Sequence, residues 1–315
     1  MSAISLYLQH ILEENKFNIS TCPVCGSPEF EFSHYLNVPD WLVSKENFEL
    51  KKCGNCSFIF TANAPLLENA GPYYESEEYV EHTDTNKGLF YGVYHQARKL
   101  MLKFKLSNIR SYSKSTKLLD IGSGSGYFIN YMKQNGYNVS GVEISDKAVA
   151  LCKDKFDISV NSPTEFLAEK LPKDFDIITM WHVFEHVYSF NEYFDILHKS
   201  LKENGHVFVA LPNPNCFEAK HYKNYWNGFD TPRHLWHFTP KTFKQFAEGH
   251  GFEMISMKRL PLDPFFNAMV SSSYKSGLKF LPYTFTIGLI SFINGLINRD
   301  KASSLIYILK KSRVN

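Results

Sequence analysis

Three groups of residues in this 315-residue chain have the types and spacing to do chemistry. The first is a glycine run, "LLDIGSGSG" at 118–126, where an apolar stretch stops at Asp120 and Gly122, Gly124 and Gly126 follow. Glycines there let a ligand approach the backbone, and a helix starting from the turn offers unpaired N–H groups to an anion. Glu143, in "VSGVEIS" at 139–145, stands where a second strand ends and a carboxylate can bind two ribose hydroxyls. The second group is Cys22, Cys25, Cys53 and Cys56, two C-x2-C pairs separated by 27 residues. The turn inside each pair aims both sulfurs inward, so the pairs read as two knuckles around one tetrahedral zinc with no open position, hence structural. Disulfides or a redox pair are the alternatives. The third group is polar. His182, Glu185 and His186 spell H-x-x-E-H, and the long segment 212–240 carries His221, Asp230, Arg233, His234 and His237.

Such groups need elements to hold them. From residue 117 short apolar strands ("KLLDI", "NVSGVE", "DISV", "FDIITM", "HVFVAL") alternate with helical stretches such as "GYFINYMKQNG" and "DKAVALCKDK". Sustained strand–helix alternation predicts a parallel sheet with helices on both faces. "TPKTFKQFAEGHGF" (239–252) opens on Thr-Pro and closes on Gly251, a helix, followed by the strand "EMISMKRL" and a last strand, "SSLIYILKKS". Upstream, 1–20 reads as a short helix, and 21–62 as the zinc module with a strand-rich insert. Residues 63–88 read as an acidic, Tyr-rich linker packed over a site, and 89–112 as a helix. The expected division is 1–62 for helix and zinc module, 63–116 for linker and helix, and 117–315 for the main domain, with an apolar insert at about 262–298.

On a helix, H-x-x-E-H would be the inverted zinc-protease motif. Here it emerges directly from an apolar strand, no third ligand is specified, and the glycine loop lies upstream at strand spacing. In the 212–240 segment, Arg233 could bind an anionic group such as a phosphate, and His234 could be a base. The alternative is a surface loop tied down by aromatic packing. Cys152 and Cys216 stand alone and read as buried small hydrophobes.

The loop is G-x-G-x-G with an acid two residues before the first glycine, and in this it resembles motif I of class I S-adenosylmethionine-dependent methyltransferases. That resemblance implies an α/β, Rossmann-like, seven-stranded mostly parallel sheet carrying a small N-terminal zinc module. It implies that Gly122, Gly124 and Gly126 line S-adenosylmethionine, that Asp120 shapes the loop and that Glu143 binds the ribose. "FDIITMWHVFEHV" (175–187) resembles the corresponding run of the same family, including ubiquinone-biosynthesis O-methyltransferases. By that likeness Trp181 flanks the adenine and His182 faces the methyl-accepting site, with His182 the first choice of base and His234 the second. "DTPRHLWHFTPKTF" resembles a string of bacterial methyltransferases that modify sugars and surface polysaccharides. Zinc knuckles ahead of such a domain resemble deoxysugar C-methyltransferases, whose additional C-terminal domain this chain is too short to hold, and a zinc-bearing ribosomal RNA guanine methyltransferase.

The expected activity is therefore S-adenosylmethionine-dependent O- or C-methyl transfer to a small-molecule or sugar-containing acceptor, such as a cell-envelope precursor. An RNA methyltransferase and a non-catalytic cofactor-binding scaffold are the competing readings. A net charge of +2 without a Lys/Arg stripe argues against nucleic acid, and 44% apolar residues suit a globular enzyme. The N-terminus lacks a basic n-region and an apolar h-region, so a cytoplasmic protein with reduced cysteines is expected. "FLPYTFTIGLISFINGLI" (280–297) has no charge but is broken by Pro282, glycines and hydroxyl residues. It reads as a cap or oligomer helix, or as a peripheral contact with the inner face of the membrane.

Overall fold

A computed structural model describes residues 16–17, 19–75, 89–277 and 282–312. The expected helix at 1–20 lies almost wholly outside the described residues, as does the end of the 63–88 linker. The N-terminal part forms three strands, β1 (Phe32–Pro39), β2 (Asn47–Cys53) and β3 (Ile59–Thr61), paired antiparallel in that order. Helix α1 (Leu89–Tyr112) leads into β4 (Lys117–Ile121), α2 (Tyr127–Gln134), β5 (Asn138–Val142), α3 (Asp146–Phe156) and α4 (Pro163–Leu167). Then come β6 (Phe175–Trp181), α5 (Phe190–Ser200), β7 (Leu201–Pro212), α6 (Phe217–Tyr222) and β8 (Trp236–His237). The chain continues with α7 (Pro240–Gly249), β9 (Phe252–Arg259), α8 (Asp263–Ser276), α9 (Pro282–Ile297) and β10 (Ser304–Lys311).

The strands of the main sheet are apolar on both faces because helices cover both. Its order is β5-β4-β6-β7-β10-β9, with β4, β5, β6 and β7 joined in parallel and β10 antiparallel to both its neighbours. Alternate residues feed two cores. Ile178, Val209 and Tyr307 pack on one face with the phenylalanines of α5 and α7, and Ile177, Phe208 and Ile306 on the other with Ile129 of α2. Helix starts are set locally: Ser145, Ser162 and Thr239 accept backbone N–H groups as N-caps, and Pro240 occupies the first turn of α7.

The expected seventh strand is not formed. "DISV" is reduced to one parallel bridge, Val142 to Asn161, held by Asn161 N–H to Gly141 O at 2.8 Å and Glu143 N–H to Asn161 O at 3.0 Å. Asp157 caps α3 in the left-handed region (φ 51°) and Ser162 already caps α4, so too few extended residues remain to lie along β5. The sheet has six strands.

The cysteine module also ends differently from its expected boundary. β8, from the 212–240 segment, pairs with β3 and completes a four-stranded sheet, β1-β2-β3-β8. The insert expected at about 262–298 is the helical pair α8/α9. α9 is inside out: Thr284, Ile287, Gly288, Ser291 and Gly295 face inward, while Phe285, Leu289, Ile290, Ile293 and Leu296 are exposed. A Cβ on Gly288 would lie 2.9 Å from the Phe265 ring, so the small face is what lets α9 close on α8. No helix among the described residues is long and apolar enough to cross a membrane.

Candidate active site

The glycine loop sits at the C-terminal end of β4, next to β6. Gly122, Gly124 and Gly126 all have positive φ (74°, 52° and 82°), a conformation costly for any other residue. Two also lack room for a side chain. A Cβ on Gly122 would come 2.1 Å from Val183 Cγ2, and one on Gly126 2.4 Å from Cys152 Sγ. Gly124 has open space in front of it, as a ligand cradle requires.

Glu143 lies across this loop. Its Oε2 accepts the Gly124 N–H at 2.7 Å, and its Oε1 accepts the N–H groups of Ile144 and Ser145 at 2.9 Å each. Each carboxylate oxygen retains further acceptor capacity, so a ribose hydroxyl can be bound without breaking these bonds. Asp120 is placed behind the loop rather than on its open side. It is buried, its Oδ1 accepts the Thr179 hydroxyl at 2.6 Å, and its backbone carbonyl accepts the Ser123 hydroxyl. Burial pushes its pKa up to about 7, against the hydrogen bond from Thr179 and the charge of Lys105. Trp181 ends β6 with its ring edge-on to Phe128 and Lys105 Nζ 4.3 Å from the ring centroid.

At the ends of β6 and β7 a cavity of about 320 Å³ opens. One wall, from the segments after these strands, presents His182, Glu185, Asp230 and His234. The other, from α8 and the N-terminal module, presents Asp263, Phe266, Met269, Val270, Tyr274 and Leu42. His182 has φ 57°, strained for a residue with a side chain, which turns the chain off the sheet at the cavity. Its Nε2 lies 3.1 Å from Asp263 Oδ2 and its Nδ1 3.4 Å from Glu185 Oε1. Burial works against the imidazolium, but the Asp263 and Glu185 carboxylates outweigh it and raise the pKa to about 10. A ring so placed is a cation at neutral pH, not the free base expected from the sequence.

Arg233 is not on the cavity wall. It is buried, its guanidinium bonds Asp40 at 2.9 Å and Asp230 at 2.7 Å, and it donates to the Tyr73 carbonyl at 2.8 Å. The anion-binding expectation is corrected: two carboxylates already occupy it. Of the segment's histidines only His234 lines the cavity. His237 is buried beside Thr61 in the small sheet, and His221 contacts Tyr283 on α9. Sequence reasoning missed Asp263, although it is the sole acid between 262 and 298, a signal that could have marked it.

The four cysteines of the N-terminal module converge. Cys22 and Cys56 sulfurs lie 3.6 Å apart, as do those of Cys25 and Cys53, and one sulfur from each residue falls within 4.8 Å of the rest. Tetrahedral zinc with bonds of about 2.3 Å places its sulfurs about 3.8 Å apart, so the set fits one ion. Each knuckle closes alike, with Gly26 N–H on Cys22 O and Ser57 N–H on Cys53 O, and both closing residues have positive φ.

A glycine turn crossed by Glu143 at one strand end, with a cavity at the next, is the arrangement by which open α/β sheets bind ligands at the carboxyl ends of their strands. The chain belongs to the methyltransferase-domain family, whose model matches residues 93–257, a little over half of it. Among curated relatives, a ubiquinone biosynthesis O-methyltransferase of Pelagibacter ubique is 35% identical over 117 residues, which are 35% of this chain and 48% of the relative. One from Pseudomonas aeruginosa is 30% identical over 105 residues, 31% of this chain and 45% of the relative. The chain thus spans less than half the length of the curated relatives it matches. Among solved structures, a SAM-dependent methyltransferase from Archaeoglobus fulgidus is 20% identical, with a TM-score of 0.47, covering 71% of this chain and 100% of that one.

Proposed function

We propose that the protein is an S-adenosylmethionine-dependent O-methyltransferase of a small, uncharged, hydroxylated acceptor with an apolar portion. The observation that carries this is the tie between the two half-sites. Val183, next to His182, is the side chain that fills the space above Gly122, so the cofactor loop and the acceptor cavity are built against one another. Bound S-adenosylmethionine would supply an electrophilic methyl group on its sulfonium: an O–CH3 bond forms as the C–S bond breaks, and S-adenosylhomocysteine is the leaving group. Glu143 holds the ribose and the glycine loop the methionine portion, and their contribution is alignment.

Asp263, partly exposed to the cavity, is placed to take the acceptor proton, and His182, between Asp263 and Glu185, orients it and balances its charge. His182 is thus assigned as a positioning group. Three carboxylates at the cavity, with Arg233 already committed, favour a neutral acceptor over a phosphate-bearing one or RNA. A ring with hydroxyls suits both walls. Sugar-containing envelope precursors, suggested by the 230–243 string, and hydroxylated intermediates of ubiquinone biosynthesis, suggested by the relatives' names, share this chemistry. The cysteine cluster is read as structural zinc. The exposed apolar face of α9, with Arg299 and Lys301 beyond its end, suits peripheral contact with an anionic membrane surface.

Calorimetric titration with S-adenosylhomocysteine is the test: one equivalent is expected to bind, and absence of heat would sink the reading. Methyl transfer from labelled cofactor to phenolic and to sugar panels then separates the acceptors.

A further inference from the structure

We propose that Glu185, His186 and His234 bind a divalent metal ion at the wall of the acceptor cavity, separate from the four-cysteine cluster. One carboxylate oxygen of Glu185 and one nitrogen from each histidine lie within 4.8 Å of one another. Glu185 is 1% exposed, and neither carboxylate oxygen has a hydrogen-bond partner among the described residues. An ionised carboxylate without hydrogen bonds is costly; the His182 ring faces only Oε1 and offsets part of that cost, and a metal ion would offset the rest. His182 approaches Oε1 at 3.4 Å without hydrogen-bond geometry.

The histidines are arranged to help. His186 Nδ1 lies 3.1 Å from the Arg233 carbonyl and 3.3 Å from the Tyr74 hydroxyl, and His234 Nδ1 lies 2.9 Å from the Gly228 carbonyl. A carbonyl only accepts, so each Nδ1 carries the proton and each Nε2 keeps its lone pair. Backbone carbonyls holding the far nitrogen are the usual outer support of metal-bound imidazoles. Two imidazole nitrogens and one carboxylate form a donor set that leaves coordination positions open, as in catalytic zinc and related divalent sites.

Glu185 and His234 both line the cavity, so an open position faces the acceptor and suits a hydroxyl oxygen. That placement rests on the methyl-transfer reading, whereas the ion's presence does not. It also gives the H-x-x-E-H string a part unlike the protease one. The 184–186 segment is one short 3-10 turn, His182 contacts Asp263, and the second histidine comes from the 212–240 segment.

The test is metal counting. Full-length protein is stripped with a chelator, reloaded with Zn2+ and desalted, and metal per chain is measured by mass spectrometry. Two equivalents are expected in the wild type and one in Glu185→Gln, in His234→Gln and in Cys53→Ser. A single equivalent in the wild type overturns the proposal whether or not any variant folds. Two equivalents persisting in both His234→Gln and Glu185→Gln do so as well. S-adenosylhomocysteine titration of the same samples separates the two readings. One equivalent of metal with cofactor binding intact removes the metal site alone, and two without cofactor binding remove the methyl-transfer reading alone.

Discussion

Asp40 and Arg233 stand 193 positions apart in sequence, yet their side chains meet at 2.9 Å with both groups out of solvent. Asp40 also accepts the N–H groups of Leu42, Val43 and Ser44, so it folds the turn that puts Leu42 on the cavity. One ion pair therefore fastens the cysteine module to the acceptor wall.

Removing the arginine should be severe. Arg233→Met leaves Asp40 and Asp230 buried without their partner, and breaking such a buried pair costs about 3–5 kcal/mol. Urea unfolding of wild type and variant measures it. A loss below about 1 kcal/mol would show that the pair is not the fastening.

Gly122 should tolerate no side chain. Gly122→Ala meets Val183 Cγ2 at 2.1 Å and strains a φ of 74°. A cost of at least about 2 kcal/mol is expected, with a tenfold or greater loss of S-adenosylhomocysteine affinity. Gly122→Ala/Val183→Ala removes the clash but not the strain and should recover part of the stability. Wild-type affinity in the single variant would contradict the cradle.

The cysteine cluster should matter to the acceptor more than to the cofactor. Cys53→Ser is expected to lower the melting temperature and to cut methyl transfer at least tenfold, through the turn that carries Leu42. S-adenosylhomocysteine affinity should change less than threefold, because the glycine loop belongs to the other sheet. Equal loss of both would mean that the module supports the whole fold instead.

Asp120 should make stability fall with rising pH. Burial raises its carboxyl to about 7, while the Thr179 hydrogen bond and Lys105 oppose the rise and Glu143 adds to it. A raised acid favours the folded state when protonated. Its contribution is complete below the ordinary value near 4 and is lost as pH climbs through about 7. Asp120→Asn keeps an oxygen for Thr179 and removes the titration, so the variant should gain stability relative to wild type between pH 5 and pH 8. Each kcal/mol corresponds to roughly 2 °C or more in melting temperature. A difference that stays flat or reverses would refute the assignment.

Much of this was readable in the residues. Alternating apolar strands, caps such as Thr239-Pro240, the glycine run and the two cysteine pairs are local signals, and the strands from β4 to β7, the glycine turn and the sulfur cluster formed where they pointed. What the sequence could not convey depends on distance. β8 joins a sheet whose other strands end at Thr61, and Asp263 reaches His182 from a helix far along the chain, a meeting that no local signal encodes. Residue type alone makes His182 a base and Arg233 an anion site, but the carboxylates that surround both give them other parts. "DISV" has strand composition but is trapped between two helix caps.

The two-residue strand Trp236–His237 also has a consequence for biosynthesis. A ribosome delivers all four thiols by residue 56, long before it makes the segment that covers the edge of Ile59–Thr61. Until then that edge is bare, and nascent or truncated chains ending before Trp236 should be the ones prone to stick to each other.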